Sequence, residues 1–469
     1  MMTKGRELMA ESPDPSCFNA DLIGEFLLCY NQWKEMMIAI EDIVCILPDT
    51  VCRKDGYKLL FLQRKSEHAN TEDCAYLGSI QLMPLLPSKV LSQYLCTELP
   101  CHLQAHESEV ANIHIVVSTA SGTGTAKTVH KNILQPFLWH LGLFDCKVHE
   151  TRSCHTITEL CQSLFIPCAE ADISQTIILL SGDGGIVDII DAFYSADRSV
   201  TTQPIIALIP TGTGNAMASS LGLMSHPAAG LKELLRGRPR PLPIFVAEFS
   251  PGAQYVTNEG QARALIGGLT SNSKFPKTHG AVVASWGIHA ALVADSDTDE
   301  YRRFGVDRFK MAAQELLFPP SGAESHKYTG TITLTRWNSQ TNSEYVETMG
   351  YKEHMYVLAT LVPRLEKEFV ISPESVPLDG RLRIIHFGPV PAETAMQLMA
   401  SAYQAGKHVS EGSVFYSEIE GLRIEFQEAD ERWRRVCIDG KVIAVERDGW
   451  MEVHKEPERL LSILTSAGF

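Results

Sequence analysis

The sequence predicts an α/β domain joined to a β-sandwich second domain, with a small β-rich module before them. In the α/β part, a buried-strand pattern at Thr176–Leu180 runs into a glycine turn and then into apolar residues at helical spacing. The same order recurs from Ile205. After residue 243, many short apolar stretches separated by turn residues are typical of a sandwich.

Composition narrows the class of protein. The 469 residues are 45% hydrophobic and 21% charged, which is ordinary for a globular chain large enough for several domains. A net charge of −15 disfavours nucleic acid as a partner. The twelve cysteines are scattered, and no apolar run approaches the roughly 18 residues of a membrane span. We therefore expect a cytoplasmic protein with reduced thiols, whose contact with membranes is peripheral and transient.

Two glycine turns contain the main candidate residues for catalysis and phosphate binding. The first comprises Ser181, Gly182, Asp183 and Gly184, and the second comprises Thr211, Gly212, Thr213, Gly214 and Asn215. A turn that opens a helix presents backbone N–H groups at the positive end of the helix dipole, which suits phosphate. Either turn alone is also explained as a tight strand-to-helix connection. Two in tandem, one with an ionisable Asp183, favour phosphate chemistry.

The stretches SGDGGIVDIIDAF and PTGTGNAMASSLGL closely resemble the catalytic domain shared by diacylglycerol, sphingosine and ceramide kinases. The resemblance implies an α/β fold of the NAD-kinase and diacylglycerol-kinase type, with ATP and Mg²⁺ as cofactors. It also implies a lipid alcohol as substrate, and Asp183 is the residue expected to act as general base. A turn-capping or magnesium-side role is the alternative for Asp183.

A third turn follows the apolar stretch Ile113–Val117. It is not a Walker P-loop, because Ser121 and Ala126 stand where that motif requires glycine. It resembles the family's N-P-x-S-G-x-G-x-A turn, which implies that nucleotide phosphates contact Ser118, Ala120, Ser121, Gly122 and Gly124. The resemblance also implies that Thr151 lines the nucleotide pocket, whereas the residue alone indicates a helix N-cap region.

Residues 286–309 resemble the sphingosine and ceramide kinase stretch from W-G to Y-R-R-L-G-x-x-R-F. The resemblance implies that Arg302 and Arg308 contact nucleotide phosphates. When positions are counted back from Tyr301 and a two-residue insertion in this sequence is allowed for, Asp295 falls at the family's lipid-headgroup position. Asp297 is a second headgroup candidate. Near the end, Asp439 and Gly440 match the family's D-G-E turn on the nucleotide side, with Lys441 replacing the glutamate.

The predicted organisation has five parts. Residues 1–20 are a flexible tail, and 21–105 form the small β-rich module, similar to a pleckstrin-homology fold or simply a structural cap. Residues 111–240 are the α/β nucleotide-binding domain. Residues 241–455 are the β-sandwich lipid-binding domain with inserted helices, and 456–469 are a C-terminal helix.

These observations predict an ATP-dependent lipid kinase that acts on the primary hydroxyl of a sphingoid base or diacylglycerol, with ceramide as another acceptor. A soluble-substrate kinase of the NAD-kinase or sugar-kinase type is a rival, against which the W-G to Y-R-R stretch argues. A lipid-binding regulatory pseudokinase is a second rival, favoured by Ser118-Thr119 in place of Asn-Pro, by Thr123 and by Lys441.

Overall fold

The computed structural model describes residues 17–49, 56–63, 75–104, 112–122, 124–196, 199–267 and 274–466. Most of the predicted tail, and Thr123, lie outside these ranges. The chain divides into two compact units. One comprises Met1–Cys101, Thr128–Phe144 and His226–Leu235, and the other comprises His102–Lys127, Asp145–Ser225 and Arg236–Phe469.

The first unit is built on a six-stranded sheet. Its strands are β1 (Cys17–Ile23), β2 (Phe26–Tyr30), β3 (Glu35–Ala39), β4 (Ile43–Asp49), β5 (Gly56–Gln63) and β6 (Tyr76–Leu82). Their order is β3-β2-β1-β6-β5-β4, and β1 pairs with β6 in parallel. Leu27, Ile43 and Leu59 form part of a fully buried core, because alternate residues of each strand point to the same face. A β-rich module therefore exists where the sequence predicts one.

The second unit contains a six-stranded sheet that is mostly parallel. Its strands are β7 (Ile113–Val117), β8 (Lys147–Glu150), β9 (Thr176–Ser181), β10 (Ile205–Pro210), β11 (Arg238–Pro241) and β27 (Ser462–Thr465). The order is β11-β27-β10-β9-β7-β8, with β11 antiparallel to β27 and the other pairs parallel. All of β9 is buried, as expected for a parallel strand covered on both faces.

One prediction about this sheet is wrong. The segment 456–469 was expected to be a helix, but Ser462–Thr465 is a strand inserted between β10 and β11. The residues Ser-Ile-Leu-Thr are fully buried in the α/β sheet, and β-branched Ile463 and Thr465 suit a strand. A four-residue apolar run does not distinguish a buried strand from a helical turn by periodicity.

The strands after β11 form two antiparallel sheets. They are β12 (Ile244–Phe249), β13 (Gln254–Thr257), β14 (Ala262–Leu265), β15 (Lys277–Gly280), β16 (Val283–Gly287), β17 (Tyr328–Asn338), β18 (Ser343–Thr348), β19 (Glu353–His354), β20 (Tyr356–Thr360), β21 (Leu382–Phe387), β22 (Val414–Ile419), β23 (Gly421–Phe426), β24 (Arg435–Ile438), β25 (Lys441–Ala444) and β26 (Trp450–Glu456). The orders are β15-β12-β26-β23-β17-β18 and β14-β13-β25-β24-β16-β20-β21-β22.

These two sheets pack face to face. Trp286 of β16 has no exposed surface and makes edge contacts with Tyr328 of β17 and Phe426 of β23, at ring-centroid distances of 5.7 and 5.3 Å. Aromatic pairs in this geometry add to the burial of apolar surface between the sheets. The predicted fold class, an α/β domain with a β-sandwich, is confirmed. The predicted boundary near residue 240 falls between β11, which belongs to the α/β sheet, and β12.

The helices complete the description. They are α1 (Ser88–Tyr94), α2 (Ala126–Val129), α3 (Gln135–His140), α4 (Thr156–Leu160), α5 (Ile166–Glu170), α6 (Asp183–Ser195), α7 (Ala216–Ser220), α8 (Ala229–Arg236), α9 (Ile288–Asp295), α10 (Asp299–Arg302), α11 (Asp307–Leu317) and α12 (Ala392–Ala402). π-Helical turns at His130–Leu134 and Cys161–Phe165 join α2 to α3 and α4 to α5. Single 3₁₀ turns lie at Ile40–Asp42, Cys101–Leu103, Lys407–Ser410 and Glu431–Arg434.

Candidate active site

Three glycine turns meet at one edge of the α/β sheet. The turns follow β7, β9 and β10, which are neighbours in the order β10-β9-β7. The carboxyl ends of neighbouring parallel strands lie at the same edge, which is where open α/β sheets bind ligands. Ser118 N–H donates to Leu180 O at 3.0 Å, and Thr211 N–H donates to Ser181 O at 3.0 Å. The structure thus brings together the three turns that the sequence singled out.

The turns touch through their backbones, and glycine is required for this. A Cβ on Gly212 would lie 2.3 Å from the Cα of Gly182, and a Cβ on Gly182 would lie 2.6 Å from the carbonyl oxygen of Gly214. A Cβ on Gly122, whose φ is +58°, would lie 2.6 Å from Thr211 O. Ser121 Oγ accepts the N–H of Gly182 at 3.1 Å. Any side chain at these glycines would separate the turns.

Two predicted binding residues stabilise the turns themselves. Asn215 donates from its amide to Gly212 O at 2.6 Å and accepts the Gly212 N–H at 3.3 Å. Thr151 Oγ1 accepts the N–H of Thr119 at 2.9 Å, and Thr119 Oγ1 donates to Thr151 O at 2.8 Å. These contacts order the second and third turns from within. Thr213 lies half-buried in the same turn as Asn215.

Asp183 lies at the first position of α6, and its carboxylate points to the start of α7. Oδ2 accepts the N–H of Ala216 at 2.6 Å, and Oδ1 accepts the N–H of Met217 at 3.1 Å. Burial raises the pKa of Asp183, and these two hydrogen bonds oppose that rise without cancelling it. Each carboxylate oxygen has a further lone pair, so Asp183 can accept a proton while it caps α7.

Several features of these turns fit phosphate. Ala120, Gly122, Gly124 and Gly184 are exposed, and a Cβ on Gly184 would meet nothing within 4 Å. Gly184 belongs to the first turn of the 13-residue helix α6, where backbone N–H groups and the helix dipole favour an anion. Thr211 Oγ1 is buried and has no hydrogen-bond partner among the described residues. An orphaned buried hydroxyl beside an open glycine backbone fits the phosphates of ATP.

The candidates Arg302 and Arg308 both form ion pairs with the candidate Asp297. Arg302 contacts Asp297 at 3.0 Å and Asp299 at 3.3 Å, and Arg308 lies 3.8 Å from Asp297. Burial lowers the pKa of Arg308, which its neighbour Asp297 only partly offsets. Arg308 Nε is buried and has no hydrogen-bond partner in the described part of the chain. That N–H is a donor that a bound anion would satisfy.

Asp295 and Asp297 line a cavity of about 240 Å³ together with Thr298, Glu259 and Arg435. Asp295 forms ion pairs of 2.8 Å with Arg432 and 2.7 Å with Arg435. Two arginines therefore compensate the charge of the predicted headgroup residue, a feature that the sequence did not indicate because 137 and 140 residues separate the partners.

The predicted nucleotide-side turn at Asp439 has an internal role for its side chain. The carboxylate accepts the N–H groups of Ala281, Val282 and Val283 at distances from 2.5 to 3.1 Å. Burial raises the pKa of Asp439 to about 7, because its loss of solvation outweighs these hydrogen bonds. Asp439 has φ +46° and Gly440 has φ +88°, so the turn between β24 and β25 is left-handed at both residues.

Comparison with known proteins gives a match for the part of the chain that holds all three glycine turns and Asp183. Residues 112–247 match the family model described as the diacylglycerol kinase catalytic domain. This segment is similar to the diacylglycerol kinase catalytic domain. The predicted family is confirmed.

A stretch of 75 residues is 36% identical to sphingosine kinase B of Dictyostelium discoideum, which amounts to 16% of this chain and 10% of that protein. A Bacillus anthracis strain Sterne structure assigned as a diacylglycerol kinase has a TM-score of 0.48 and 15% identity, over 76% of this chain and 98% of its own. Yeast NADH kinase has a TM-score of 0.38 and 11% identity, over 77% and 85%. Both TM-scores are below 0.5, and the fold is established by the sheets of this chain.

The structure also contains a partly buried charged cluster that sequence reasoning missed. Lys441 Nζ lies 3.0 Å from Asp188 Oδ1 and 3.5 Å from Asp191 Oδ2. Asp188 and Asp191 are three residues apart on α6, so they lie on one face of the helix that Asp183 begins. That spacing was a signal in the sequence, but the partner is 250 residues away along the chain.

The described side chains do not form a magnesium site by themselves. No group of three or more His, Cys, Asp or Glu residues within the described ranges has the arrangement of metal ligands. The neighbouring carboxylates Asp188 and Asp191 of α6 are paired with Lys441. Among the described helices, none combines the length and apolar character needed to cross a membrane.

Proposed function

We propose that this protein is an ATP-dependent lipid kinase that transfers the γ-phosphoryl group to the primary hydroxyl of a sphingoid long-chain base or of diacylglycerol. The proposal rests on one observation. Three glycine turns meet at the sheet edge around Asp183, and their backbones contact one another so closely that a Cβ would prevent it. The diacylglycerol kinase catalytic-domain match and the sphingosine kinase relative support a lipid alcohol as acceptor.

In the proposed reaction, the phosphates of ATP lie against the turns at Ser121–Gly124, Ser181–Gly184 and Thr211–Asn215. The lipid oxygen forms a bond to the γ-phosphorus as the bond from that phosphorus to the β–γ bridging oxygen breaks, and ADP leaves. Asp183 accepts the proton of the lipid hydroxyl, a role that its raised pKa favours because a general base works best near the ambient pH.

Arg302 and Arg308 compensate negative charge in this proposal. A guanidinium keeps its charge at all physiological pH values and offers N–H groups that match a phosphate. The unpartnered buried Nε of Arg308 supports the assignment. Asp295 and Asp297, which line the 240 Å³ cavity, orient the polar headgroup of the lipid.

A lipid substrate requires the enzyme to reach a membrane. We propose a cytoplasmic protein that associates with membranes peripherally and transiently. The net charge of −15 disfavours bulk attraction to anionic lipid, so the contact would be local. Co-sedimentation with liposomes of zwitterionic and anionic composition measures this contact.

A regulatory lipid-binding protein without transferase activity is a second candidate. One observation favours it: Lys441 replaces the family's glutamate and is tied to Asp188 and Asp191. The matched turns and Asp183 favour the kinase instead, since a binding protein does not need a carboxylate between its phosphate-binding turns.

The test is transfer of radiolabelled phosphate from ATP to sphingosine, dihydrosphingosine, phytosphingosine, ceramide and diacylglycerol in mixed micelles. Wild type is compared with Asp183→Asn, and ATP binding is measured in parallel. Transfer to one class of lipid that is lost in the variant supports the proposal. The absence of transfer to every lipid, together with no ATP binding, contradicts it and favours the regulatory protein.

A further inference from the structure

The Lys441 cluster connects the helix of the candidate base to the sandwich sheets. Lys441 begins β25, directly after the Asp439–Gly440 turn, and its ammonium lies between Asp188 and Asp191 of α6. The side chains of all three residues are at most 25% exposed. An ion pair with so little solvent is held much more strongly than a surface pair, and its parts are costly to separate.

Asp191 has further donors on the sandwich side. Its Oδ1 accepts from Thr278 Oγ1 at 3.0 Å and from the His279 N–H at 3.2 Å, and Tyr255 OH donates to Oδ2 at 3.2 Å. Thr278 Oγ1, at 2.7 Å from Tyr255 OH, is an alternative acceptor for the same hydroxyl hydrogen. Strands β13, β15 and β25 thus all contact one carboxylate of α6, which fixes the rotation of the helix about its axis.

The charges of the cluster depend on one another. Burial alone would lower the pKa of Lys441, but Asp191 and Asp188 together raise it. Burial would raise the pKa of Asp191, but hydrogen bonding and charge from His279 and Lys441 lower it to about 2. Burial raises the pKa of Asp188. Removal of the ammonium would leave two carboxylates close together on one helix face, which is strongly unfavourable in a buried site.

Lys441 is also close in the chain to Asp439, whose pKa depends on the charge of Asp183. Asp439 lies two residues before Lys441, and the charge of Asp183 contributes to the raised pKa of Asp439. Asp188 lies five residues after Asp183 on the same continuous helix. A shift of α6 relative to β25 would therefore move Asp183, since residues of one short helix move as a rigid body.

We propose that Lys441 is a positioning residue whose ammonium serves as the built-in cation between Asp188 and Asp191, and thereby fixes α6 with Asp183 at its first position. A divalent ion could hold two carboxylates in the same way, and here a side chain does so. The positioning of Asp183 rests on the proposed kinase function. The exclusion of another cation from between Asp188 and Asp191 does not.

The first experiment uses Lys441→Ala in the full chain, with Lys310→Ala as matched control. Lys310 pairs with Asp307 at 3.5 Å on an exposed surface, where a lost pair costs little. Alanine at 441 retains Cβ, so n-propylammonium supplies the missing three carbons and nitrogen, and propan-1-ol is the neutral control. We expect a lower melting temperature for Lys441→Ala, partly restored by propylammonium and not by propanol, and no change for Lys310→Ala.

The variant should also accept a divalent ion in place of the ammonium. Isothermal titration with Mg²⁺ or Ca²⁺, without nucleotide or lipid, should show one binding event in Lys441→Ala that is absent from wild type. The double variant Lys441→Ala with Asp188→Asn should not show it. These readouts need no phosphoryl transfer, so they remain decisive if the proposed kinase function fails.

The positioning role is tested by the kinetic constants. Lys441→Ala should lower kcat by about tenfold to a hundredfold, because a small misplacement of a reacting group costs that much. The KM for ATP should stay within about twofold, and propylammonium should restore kcat. If Lys441→Ala does not fold, Lys441→Arg retains the charge with a different shape and should lower kcat alone. Wild-type kcat in a folded variant, or a melting temperature and cation binding unchanged by the substitution, would overturn the proposal.

Discussion

Two aspartate turns, at Asp183 and Asp439, hold their carboxylates in closely similar ways. Asp183 accepts two backbone N–H groups from the start of α7, and Asp439 accepts three from Ala281, Val282 and Val283. Burial raises the pKa of both. By charge and hydrogen bonding alone, either residue is a candidate base.

The surroundings of the two turns differ. Asp439 is 5% exposed, and both its oxygens accept consecutive N–H groups where the chain passes from β15 to β16. Asp183 shares its turn with exposed Gly184 and lies beside two further glycine turns, one of which carries the Thr211 hydroxyl, which has no hydrogen-bond partner among the described residues. A raised pKa therefore identifies a buried carboxylate, whereas the open, N–H-rich backbone beside it distinguishes a reactive one.

The largest effect expected is on catalysis at Asp183. Asp183→Asn removes the proton acceptor, so kcat should fall by about 10²- to 10⁴-fold, the usual contribution of a general base. Asp439→Asn should retain kcat within about tenfold in whatever fraction is folded, because both oxygens of Asp439 already accept the N–H groups of Ala281, Val282 and Val283. Steady-state phosphorylation of the best lipid measures both variants. Equal losses of kcat would remove the distinction between the two turns.

The next effect concerns stability, where Asp439→Asn should lose more than Asp183→Asn. Asparagine at 439 would turn an amide NH₂ towards backbone N–H groups, which leaves buried donors unsatisfied and costs about 2 to 4 kcal/mol in the free energy of unfolding. Asp183→Asn should cost less, because its turn is partly open to water. Urea unfolding of the two variants measures this, and a larger loss at Asp183 would contradict the comparison.

An effect of similar size appears in the pH dependence of stability. The pKa of Asp439 is about 7 in the folded protein and about 4 in the unfolded chain, so the protonated form favours folding. This contribution is complete below about pH 4 and is lost as the pH rises through about 7, with a total on the order of 4 kcal/mol. The free energy of unfolding of wild type, measured relative to Asp439→Asn, should therefore decline between pH 5 and pH 8. A pH-independent difference would show that the pKa of Asp439 is not raised.

The smallest effect separates two arginines of the segment 302–308. Arg308→Gln removes a partly buried charge whose Nε has no hydrogen-bond partner among the described residues, so the KM for ATP should rise by about tenfold while the melting temperature changes little. The neighbouring exposed Arg303→Gln is the matched control and should leave KM within about twofold. The same KM in both variants would mean that Arg308 does not bind nucleotide.

The sequence predicted the local features of this protein better than its long-range contacts. Strand, glycine turn and helix at Thr176–Ser195 follow from neighbouring residues, and the structure has them where expected. The pairing of Asp295 with Arg432 and Arg435, and of Lys441 with Asp188, joins residues more than a hundred positions apart. Periodicity and turn chemistry contain no information about such pairs.

The C-terminal strand was missed for a related reason. Ser462–Thr465 is only four residues long, and its place between β10 and β11 is set by the sheet rather than by its own propensity. The role of the Asp439 side chain was also hidden, because its three N–H partners come from a strand region some 157 residues earlier. The three glycine turns were found because their requirement for glycine is local.

The most direct test of Asp183 as the base is the pH dependence of a single turnover from the preformed complex of enzyme with ATP. In wild type, the rate should rise with pH through a pKa above the ordinary aspartate range and then level off, as burial of Asp183 requires. In Asp183→Asn, ATP should still bind, and the residual rate should lack this rise. The same rise in both proteins would contradict the assignment of Asp183 as the proton acceptor.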